Sequence, residues 1–268
     1  MTNKIILFGF ALLLALHPIK TTAQVLETED AKALKPGQFE VGGGFEYQTS
    51  KEGTESALPL AVEYGISKKL TILVEPVGFT SIRPKIGLGT SGGGDLEMTL
   101  FYQLFPETKG MPSISISAEV KLPTSHDSLI GTGKTDFAPY LIASKTTGKF
   151  FTSANLSYTF LGKPAGVQVN NLLGYALGTV FSANARNILF GEIYGNTSAF
   201  GGADAPEGTT GGTTTGKTTE ISGGELVTAI GYGYYAKKNL LLSFGVSHDN
   251  NNALLFRPGI QWQFGGKK

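Results

Sequence analysis

Apolar and polar residues alternate along most of the chain, and this alternation restricts the folds that the chain can adopt. Near the beginning, Phe39, Val41 and Tyr47 share one parity, whereas Glu40 and Glu46 share the other. Successive side chains of a β-strand point to opposite faces, so this pattern predicts a strand with one apolar and one polar face. The pattern recurs in twelve segments of about ten residues, at about 38–48, 56–66, 70–79, 94–105, 112–122, 134–145, 150–161, 171–182, 188–197, 225–236, 239–248 and 254–264.

The lengths of these segments and of their connections favour a membrane barrel over a soluble sandwich. Strands of about ten residues suit a tilted crossing of a bilayer, whereas strands of soluble proteins more often have about 5–6 residues. Every second connection is short, as at 67–69 and 237–239, and the alternate connections are mostly longer, as at 123–133 and 198–224. We therefore predict an all-β fold: a single transmembrane antiparallel β-barrel of about twelve strands, with short periplasmic turns and long extracellular loops. A soluble periplasmic all-β domain is the alternative, and it would need a second sheet to cover twelve apolar faces.

The first residues have the features of a secretory signal peptide. Lys4 precedes an unbroken apolar run from Ile5 to Leu16, and small residues follow up to Ala23. A helix of about twelve residues spans about 18 Å, which is too short for a membrane core of about 30 Å. We expect residues 1–23 to be removed by cleavage near Ala23.

The rest of the chain is expected to form one barrel with two irregular segments. Residues 24–37 form a short periplasmic N-terminal segment, residues 38–264 form the barrel, and residues 198–224 form a long Gly/Thr-rich extracellular loop within it. The expected location is the outer membrane of a Gram-negative cell, with lipid around the barrel. The last strand ends in aromatic residues near Phe264, a feature that barrel assembly machinery is expected to recognise.

The composition excludes several kinds of site. The chain contains no cysteine, which excludes disulfides, thiolate metal ligands, a thiol nucleophile and lipidation on cysteine. Its formal net charge is +1, so there is no basic excess that would favour nucleic acid. We expect no cofactor.

The polar face of the early strands carries acidic residues that are expected to lie on one wall of the barrel. Neighbouring strands lie about 4.8 Å apart, so these carboxylates would form one patch. In a narrow open pore such a patch would favour cations and repel anions. The alternative is a structural network in which the same acids pair with lysine or arginine and fill a small barrel. The residues expected to line the interior are Glu63, Glu75, Asp95, Glu97, Glu119, Lys121, Asp136 and Arg257.

Two Ser-His-Asp runs, at 125–127 and 247–249, contain the residue types of a hydrolase triad. Neighbouring residues of a strand point to opposite faces, whereas the members of a triad must converge. A pair across two loops, such as His126 with Ser247, is geometrically possible. This possibility keeps an outer-membrane acyl hydrolase, similar to a phospholipase, as an alternative function.

Four prolines, Pro59, Pro76, Pro139 and Pro258, lie within predicted strands. Proline lacks the backbone donor that a strand ladder uses, and a closed barrel has no edge strand where this lack would be harmless. We expect each proline to mark a β-bulge or a strand end.

Short motifs also occur in a fixed order along residues 40–265. The motifs are Glu63-Tyr64-Gly65-Ile66 with Leu70, Gly94-Asp95-Leu96, Val120-Lys121-Leu122-Pro123-Thr124, Gly131-Thr132-Gly133 with Asp136, and Asn155-Leu156-Ser157-Tyr158. In this order they resemble a large family of bacterial outer-membrane proteins labelled meta-pathway of phenol degradation, also described as transporters. Ser125 stands where that family favours glycine. The resemblance implies an outer-membrane barrel that moves small, often aromatic compounds.

The expected function is that of an outer-membrane channel or transporter, and not that of an enzyme. Small solutes would pass through it passively, and small aromatic or hydrophobic compounds are among the candidates. Besides the acyl hydrolase, a second alternative is a structural barrel that displays loop 198–224 at the cell surface without transport.

Overall fold

The computed structural model describes residues 26–166, 168–199 and 224–266. The predicted signal peptide and most of the loop 198–224 lie outside these ranges. No helix within them is long and apolar enough to cross a membrane. The described strands are β1 Gln38–Gly44, β2 Glu46–Thr49, β3 Gly53–Gly65, β4 Leu70–Pro84, β5 Thr90–Gly92, β6 Leu96–Phe105, β7 Ser113–Leu122, β8 Asp136–Thr147, β9 Phe150–Thr159, β10 Leu172–Ser182, β11 Asn187–Asn196, β12 Glu225–Lys237, β13 Leu240–Asp249 and β14 Leu254–Gly265.

These fourteen segments form a closed antiparallel barrel of twelve strands. β1 and β2 together make one barrel strand, because both pair with β3 and with β14 on either side of Phe45. β5 and β6 make another, because both pair with β4. The first and last strands close the barrel along the register from Gln38 opposite Gly265 to Gly44 opposite Gly259. The predicted fold class and strand number are confirmed.

The two faces of the barrel wall have opposite chemistry, as the alternation predicts. In β6, for example, Met98, Leu100 and Tyr102 are exposed on the outside, whereas Glu97 and Thr99 are buried inside. Aromatic side chains cluster on the outer face near both ends of the barrel. The ring contacts include Phe39–Phe264, Phe39–Tyr64, Trp262–Phe264, Phe137–Phe160 and Tyr158–Phe160. An apolar band between aromatic girdles is typical of a barrel surrounded by lipid.

The prolines interrupt the strand ladder, but only one of them coincides with a shift in register. The shift falls between Leu58 and Pro59, where β3 meets β4. Pro139 and Pro258 pair in register with β7 and β13, so the expectation of a bulge or strand end is wrong for these two. The missing donor of Pro139 instead leaves a gap of two residues in the ladder between β8 and β9. A barrel strand therefore tolerates proline by losing local pairing while keeping its direction and its faces.

Candidate channel interior

The described residues before the first strand lie inside the barrel. Residues 26–36 have no regular secondary structure and follow the inner wall from the short-turn end to about mid-height. Leu26, Thr28, Ala31 and Leu34 are buried. The sequence placed residues 24–37 in the periplasm as a short segment, and the structure seats the described part of it in the lumen. We refer to residues 26–36 as the N-terminal segment.

One carboxylate on β11 receives the start of the N-terminal segment. Glu192 accepts hydrogen bonds from the backbone N–H groups of Glu27 and Thr28, at 3.1 and 3.0 Å, and from the Thr28 hydroxyl at 3.0 Å. On the facing wall, the Arg257 guanidinium forms ion pairs with Glu27 of the segment and, at 2.7 Å, with Glu46 of β2. The segment is thus bound across the lumen from two sides.

A group of small hydroxyl side chains receives the middle of the N-terminal segment. The hydroxyls of Ser113 and Ser115 donate to the Ala31 carbonyl at 2.8 and 2.7 Å. The Ser144 hydroxyl donates to Asp30 at 2.8 Å and accepts from the Ala31 N–H at 3.2 Å. These bonds satisfy backbone groups that would otherwise be buried without partners.

An apolar cluster inside the barrel holds the first described residue of the segment. Leu26 packs there with inward-facing side chains of β9, β10, β11 and β13, which are Phe151, Val180, Ile188, Phe190 and Leu241. Gly178 leaves room for the neighbouring Thr28 of the segment. A Cβ at position 178 would lie 2.8 Å from the Thr28 hydroxyl and 3.0 Å from the Thr28 Cβ. The inner face was expected to carry polar or small residues, and this apolar cluster was not predicted.

All eight residues predicted to line the interior face inward, and they form separate groups. Lys121 lies 2.5 Å from Asp136 and 3.9 Å from Asp95, and all three side chains are buried. Asp95 also accepts from the Ser125 N–H at 2.9 Å, and Asp136 accepts from the Gly162 N–H at 2.7 Å. These three residues therefore tie two extracellular loops to the barrel wall.

Three of the other predicted acids lie in directly opposed pairs lower in the wall. Glu75 of β4 faces Glu97 of β6, and Glu63 of β3 faces Glu40 of β1. Glu119 lies inside β7, where it lines a cavity with Glu27 of the N-terminal segment. Opposed carboxylates are an unusual pairing because like charges across two strands destabilise a sheet. The wall is thus strongly acidic where the N-terminal segment crosses it.

The interior as a whole carries far more negative than positive side chains. Among the described residues, the buried charged side chains are one lysine, Lys121, and eleven carboxylates: Asp30, Glu40, Glu46, Glu63, Glu75, Asp95, Glu97, Glu119, Asp136, Glu192 and Glu225. Sequence reasoning missed Glu192 as a contact of the N-terminal segment and Glu46 as an ion-pair partner of Arg257. The parity argument had placed Glu46 on the polar face of its strand, and the same argument applied to β11 would have placed Glu192 inside.

The two Ser-His-Asp runs do not converge. Ser247 is buried inside the barrel, whereas His248 is exposed on the outside. In the extracellular loop, His126 Nδ1 lies 3.1 Å from the Thr124 carbonyl oxygen. Asp127 accepts from the Thr90 hydroxyl at 2.5 Å and from the Leu129 N–H at 2.8 Å. These two hydrogen bonds lower the pKa of the Asp127 carboxyl, the Thr90 bond being the larger cause. The aspartate therefore stabilises the loop.

A cavity of about 90 Å³ lies above the N-terminal segment. Leu26, Glu27 and Glu29 form its floor, and Tyr194 and Arg257 lie in its wall. A narrower cavity continues from Tyr194 and Arg257 to Asp249 and Ala253 at the extracellular end. Among the described residues, two cavities therefore lie between the segment and the extracellular end, and a further cavity lies on the other side of the segment, beside Asp30, Lys32 and the short turns.

Several solved outer-membrane barrels have a similar fold. The COG4313 outer membrane channel from Pseudomonas putida F1 is 13% identical, with a TM-score of 0.64 over 88% of this chain and 98% of that chain. The NanC porin is 11% identical, with a TM-score of 0.55 over 84% of this chain and 98% of that chain. The KdgM porin in complex with disordered oligogalacturonate is 11% identical, with a TM-score of 0.54 over 84% of this chain and 99% of that chain.

At these identities the likeness concerns the fold. No family model and no curated protein matches the sequence. The resemblance to the phenol-degradation family therefore stays a prediction. The chain has the fold of a twelve-stranded outer-membrane barrel, with an acidic interior that the N-terminal segment crosses.

Proposed function

We propose that the protein is an outer-membrane channel for the passive passage of small solutes, and that its N-terminal segment closes the lumen. The observation that carries the proposal is the segment itself, which is held inside the barrel by side-chain contacts and is continuous with β1 only through Lys35–Pro36–Gly37. The fold shared with channels and porins supports the same reading.

The acidic wall sets which solutes such a channel favours. Carboxylates in a narrow, poorly hydrated passage act on a passing ion more strongly than they would in bulk water. The proposed channel therefore favours cations and uncharged compounds over anions. Its apolar cluster around Phe190 also suits small aromatic or hydrophobic compounds.

The proposed route to the membrane follows from the same fold. Residues 1–23 would direct export and be removed near Ala23, and barrel assembly machinery would insert the barrel into the outer membrane. Gel mobility that changes on heating, together with an N-terminal sequence starting at Gln24, is the expected result. A protein recovered from the soluble periplasmic fraction would contradict this route.

Single-channel recording in planar bilayers tests the proposed function. The full-length barrel is expected to conduct rarely, and a variant lacking residues 26–34 is expected to conduct most of the time. Gly178→Val is the sharper variant, because it leaves the segment intact and fills the space that Thr28 occupies. Gly191→Val is its control, since a Cβ there makes only ordinary contacts, at 3.5 Å or more.

The expected order of open probability is therefore deletion, then Gly178→Val, then Gly191→Val equal to the unaltered protein. Absence of ionic current from the deletion variant, with the barrel shown to be folded by its heat-dependent gel mobility, would refute the channel function.

A further inference from the structure

The first described residues of the N-terminal segment contact the inner wall as a bound ligand would. Leu26 packs into an apolar pocket, and Glu192 of β11 accepts hydrogen bonds from Glu27 and Thr28. We refer to the five side chains that receive this leucine as the Leu26 pocket, which consists of Phe151, Val180, Ile188, Phe190 and Leu241. The segment therefore shows which chemical groups this part of the wall can bind.

The Leu26 pocket is built by wall residues that pack on bare backbone of β12. A Cβ on Gly231 would overlap the Phe190 ring, and a Cβ on Gly233 would lie 2.7 Å from Ile188 Cγ1 and 3.0 Å from Leu241 Cδ1. Glycine in a strand allows this close approach because it has no side chain. The pocket belongs to the barrel, so release of the segment exposes its apolar surface to the lumen, which is unfavourable in water.

A carboxylate lies beside the pocket on the same strand. Ile188, Phe190 and Glu192 are alternate residues of β11, and all three are buried. Alternate residues of a strand lie about 7 Å apart on one face, so the Glu192 carboxylate adjoins the pocket. Release of the segment removes three donors from this carboxylate. It therefore uncovers an apolar pocket and a strong acceptor within reach of one small molecule.

The surrounding wall keeps a negative charge without the segment. The described charged wall residues that border the cavity above the segment are Glu46, Glu75, Glu192 and Arg257. Three carboxylates and one guanidinium give a formal charge of −2, and Arg257 keeps its ion pair with Glu46. A donor that carries a positive charge is therefore favoured over a neutral donor, and an anion is disfavoured.

The covalent structure of the segment gives the spacing between the two groups. Three atoms separate the Glu27 nitrogen, which donates to Glu192, from the branched carbon of Leu26: the Leu26 carbonyl carbon, Cα and Cβ. An alkylammonium with three carbons between its nitrogen and its branched carbon reproduces this spacing. The compound 4-methylpentylammonium has this structure.

We propose that the Leu26 pocket and Glu192 form a binding site for small primary ammonium compounds with an apolar body, which displace Leu26 and Thr28 and hold the segment away from the wall. This inference rests on the proposed channel function, for which it names a class of solute and the event that opens the lumen. Because such a compound binds only the released state, it raises the released fraction with its concentration.

A single thiol follows release of the segment in the full-length protein. Thr28→Cys places the thiol at a position where the native side chain is 2% exposed, and the unaltered chain has no cysteine. The variant keeps the backbone N–H of residue 28, which donates to Glu192. Gly110→Cys, on a short turn where a Cβ meets no atom within 4 Å, is the control for effects on the reagent or the detergent.

The probe is 4-methylpentylammonium, and the comparison compounds are 4-methylpentan-1-ol, 4-methylpentanoate and methylammonium. The probe is expected to raise the rate at which an uncharged methanethiosulfonate reagent labels Thr28→Cys roughly fivefold or more, with no change at Gly110→Cys. The alcohol should need an about tenfold higher concentration because it lacks the charge, and the other two compounds should have no effect. Equal potency of the ammonium compound and the alcohol, or no effect of the ammonium compound, would overturn the proposal.

A second variant tests the carboxylate. Glu192→Gln, combined with Thr28→Cys, is expected to reduce the preference for the ammonium compound over the alcohol to roughly threefold or less, because the acceptor loses its charge. An unchanged preference would contradict the proposed site.

The same measurements separate this proposal from the channel function. Slow labelling of Thr28→Cys that no compound changes, together with ionic current through the variant lacking residues 26–34, refutes only the ammonium site. Absence of current from that folded variant refutes the channel. Rapid labelling of Thr28→Cys without any compound contradicts closure of the lumen by the segment.

Discussion

The interior of the barrel has an apolar side and an acidic side, and they act differently on the N-terminal segment. On the apolar side, strands β9 to β13 hold Leu26 among Phe151, Val180 and Phe190. On the acidic side, strands β3 to β7 present Glu63, Glu75, Glu97 and Glu119. The first side binds the segment by burying surface and through the hydrogen bonds that Glu192 accepts, whereas the second side has a high density of like charges.

This difference assigns separate roles to the two sides. Burial of a leucine side chain contributes about 1.5–3 kcal/mol without regard to orientation, so the apolar side can hold the segment in place. Opposed carboxylates give little adhesion, but they determine the sign of the charge along the passage. In this account the apolar side controls how often the channel is open, and the acidic side controls what passes when it is.

Leu26→Asp is expected to have the largest effect on the apolar side. A carboxylate among Phe151, Val180 and Phe190 cannot be satisfied, so docking of the segment should weaken by about 3 kcal/mol or more. This corresponds to an increase of more than about a hundredfold in the ratio of open to closed time. Leu26→Met, which conserves volume, is the control and should change little. A Leu26→Asp channel as silent as the control would contradict the role of the apolar cluster.

Glu192→Ala should have the next largest effect, because it removes the acceptor of three hydrogen bonds from Glu27 and Thr28. A hydrogen bond contributes about 0.5–1.5 kcal/mol net of its exchange with water. We expect open time to rise roughly tenfold or more. Glu192→Gln keeps one acceptor oxygen, so its open time should lie between those of the unaltered protein and of Glu192→Ala. Equal behaviour of the Ala and Gln variants would mean that these bonds do not hold the segment.

Neutralising the acidic side should change ion selectivity with little change in stability. In the Glu63→Gln/Glu97→Gln/Glu119→Gln variant, Lys121 keeps its ion pairs with Asp95 and Asp136. The reversal potential is expected to show a weaker cation preference, most clearly at low salt, where screening is weak. The melting temperature should remain close to that of the unaltered protein. Unchanged selectivity with a lowered melting temperature would assign the three acids to a structural network instead.

The smallest effect is expected outside the barrel, at Asp127. Because hydrogen bonds from Thr90 and Leu129 lower its pKa, the aspartate stabilises the loop above the ordinary carboxyl pKa. That contribution is lost as pH falls through the lowered pKa. Protease cleavage of the loop 123–135 should therefore stay constant from neutral pH to about pH 5 and rise only in stronger acid. Asp127→Asn should remove this acid dependence and leave conductance unchanged, and altered conductance would mean that the loop also governs the passage.

The alternation of side chains predicted the strands and their faces because it is a local property of each segment. Leu100 and Glu97 could be assigned to opposite faces from their positions alone. The β-bulge expected at Pro59 is confirmed by the register shift where β3 meets β4, whereas the same expectation is wrong at Pro139. Nothing in the residues around Pro139 and Pro59 distinguishes the proline that keeps its register from the one that shifts it.

The position of the N-terminal segment inside the barrel could not be predicted from local sequence patterns. Its residues show no period of two, and its contacts join positions that are far apart, such as Thr28 with Glu192. Gly178 is an informative signal only when the segment is known to lie against it. The interior acids could be found by parity, whereas their grouping with Lys121 or with Arg257 depends on which strands are neighbours.

A disulfide between the N-terminal segment and its seat tests the central claim most directly. A Cβ on Gly178 would lie 3.0 Å from the Thr28 Cβ, so Thr28→Cys/Gly178→Cys needs only a small adjustment to reach disulfide geometry. The current through one reconstituted channel is recorded before and after a reductant is added. The account predicts a closed channel while the bond is intact and repeated openings once it is reduced. The same current in both states would contradict the claim that this segment closes the barrel.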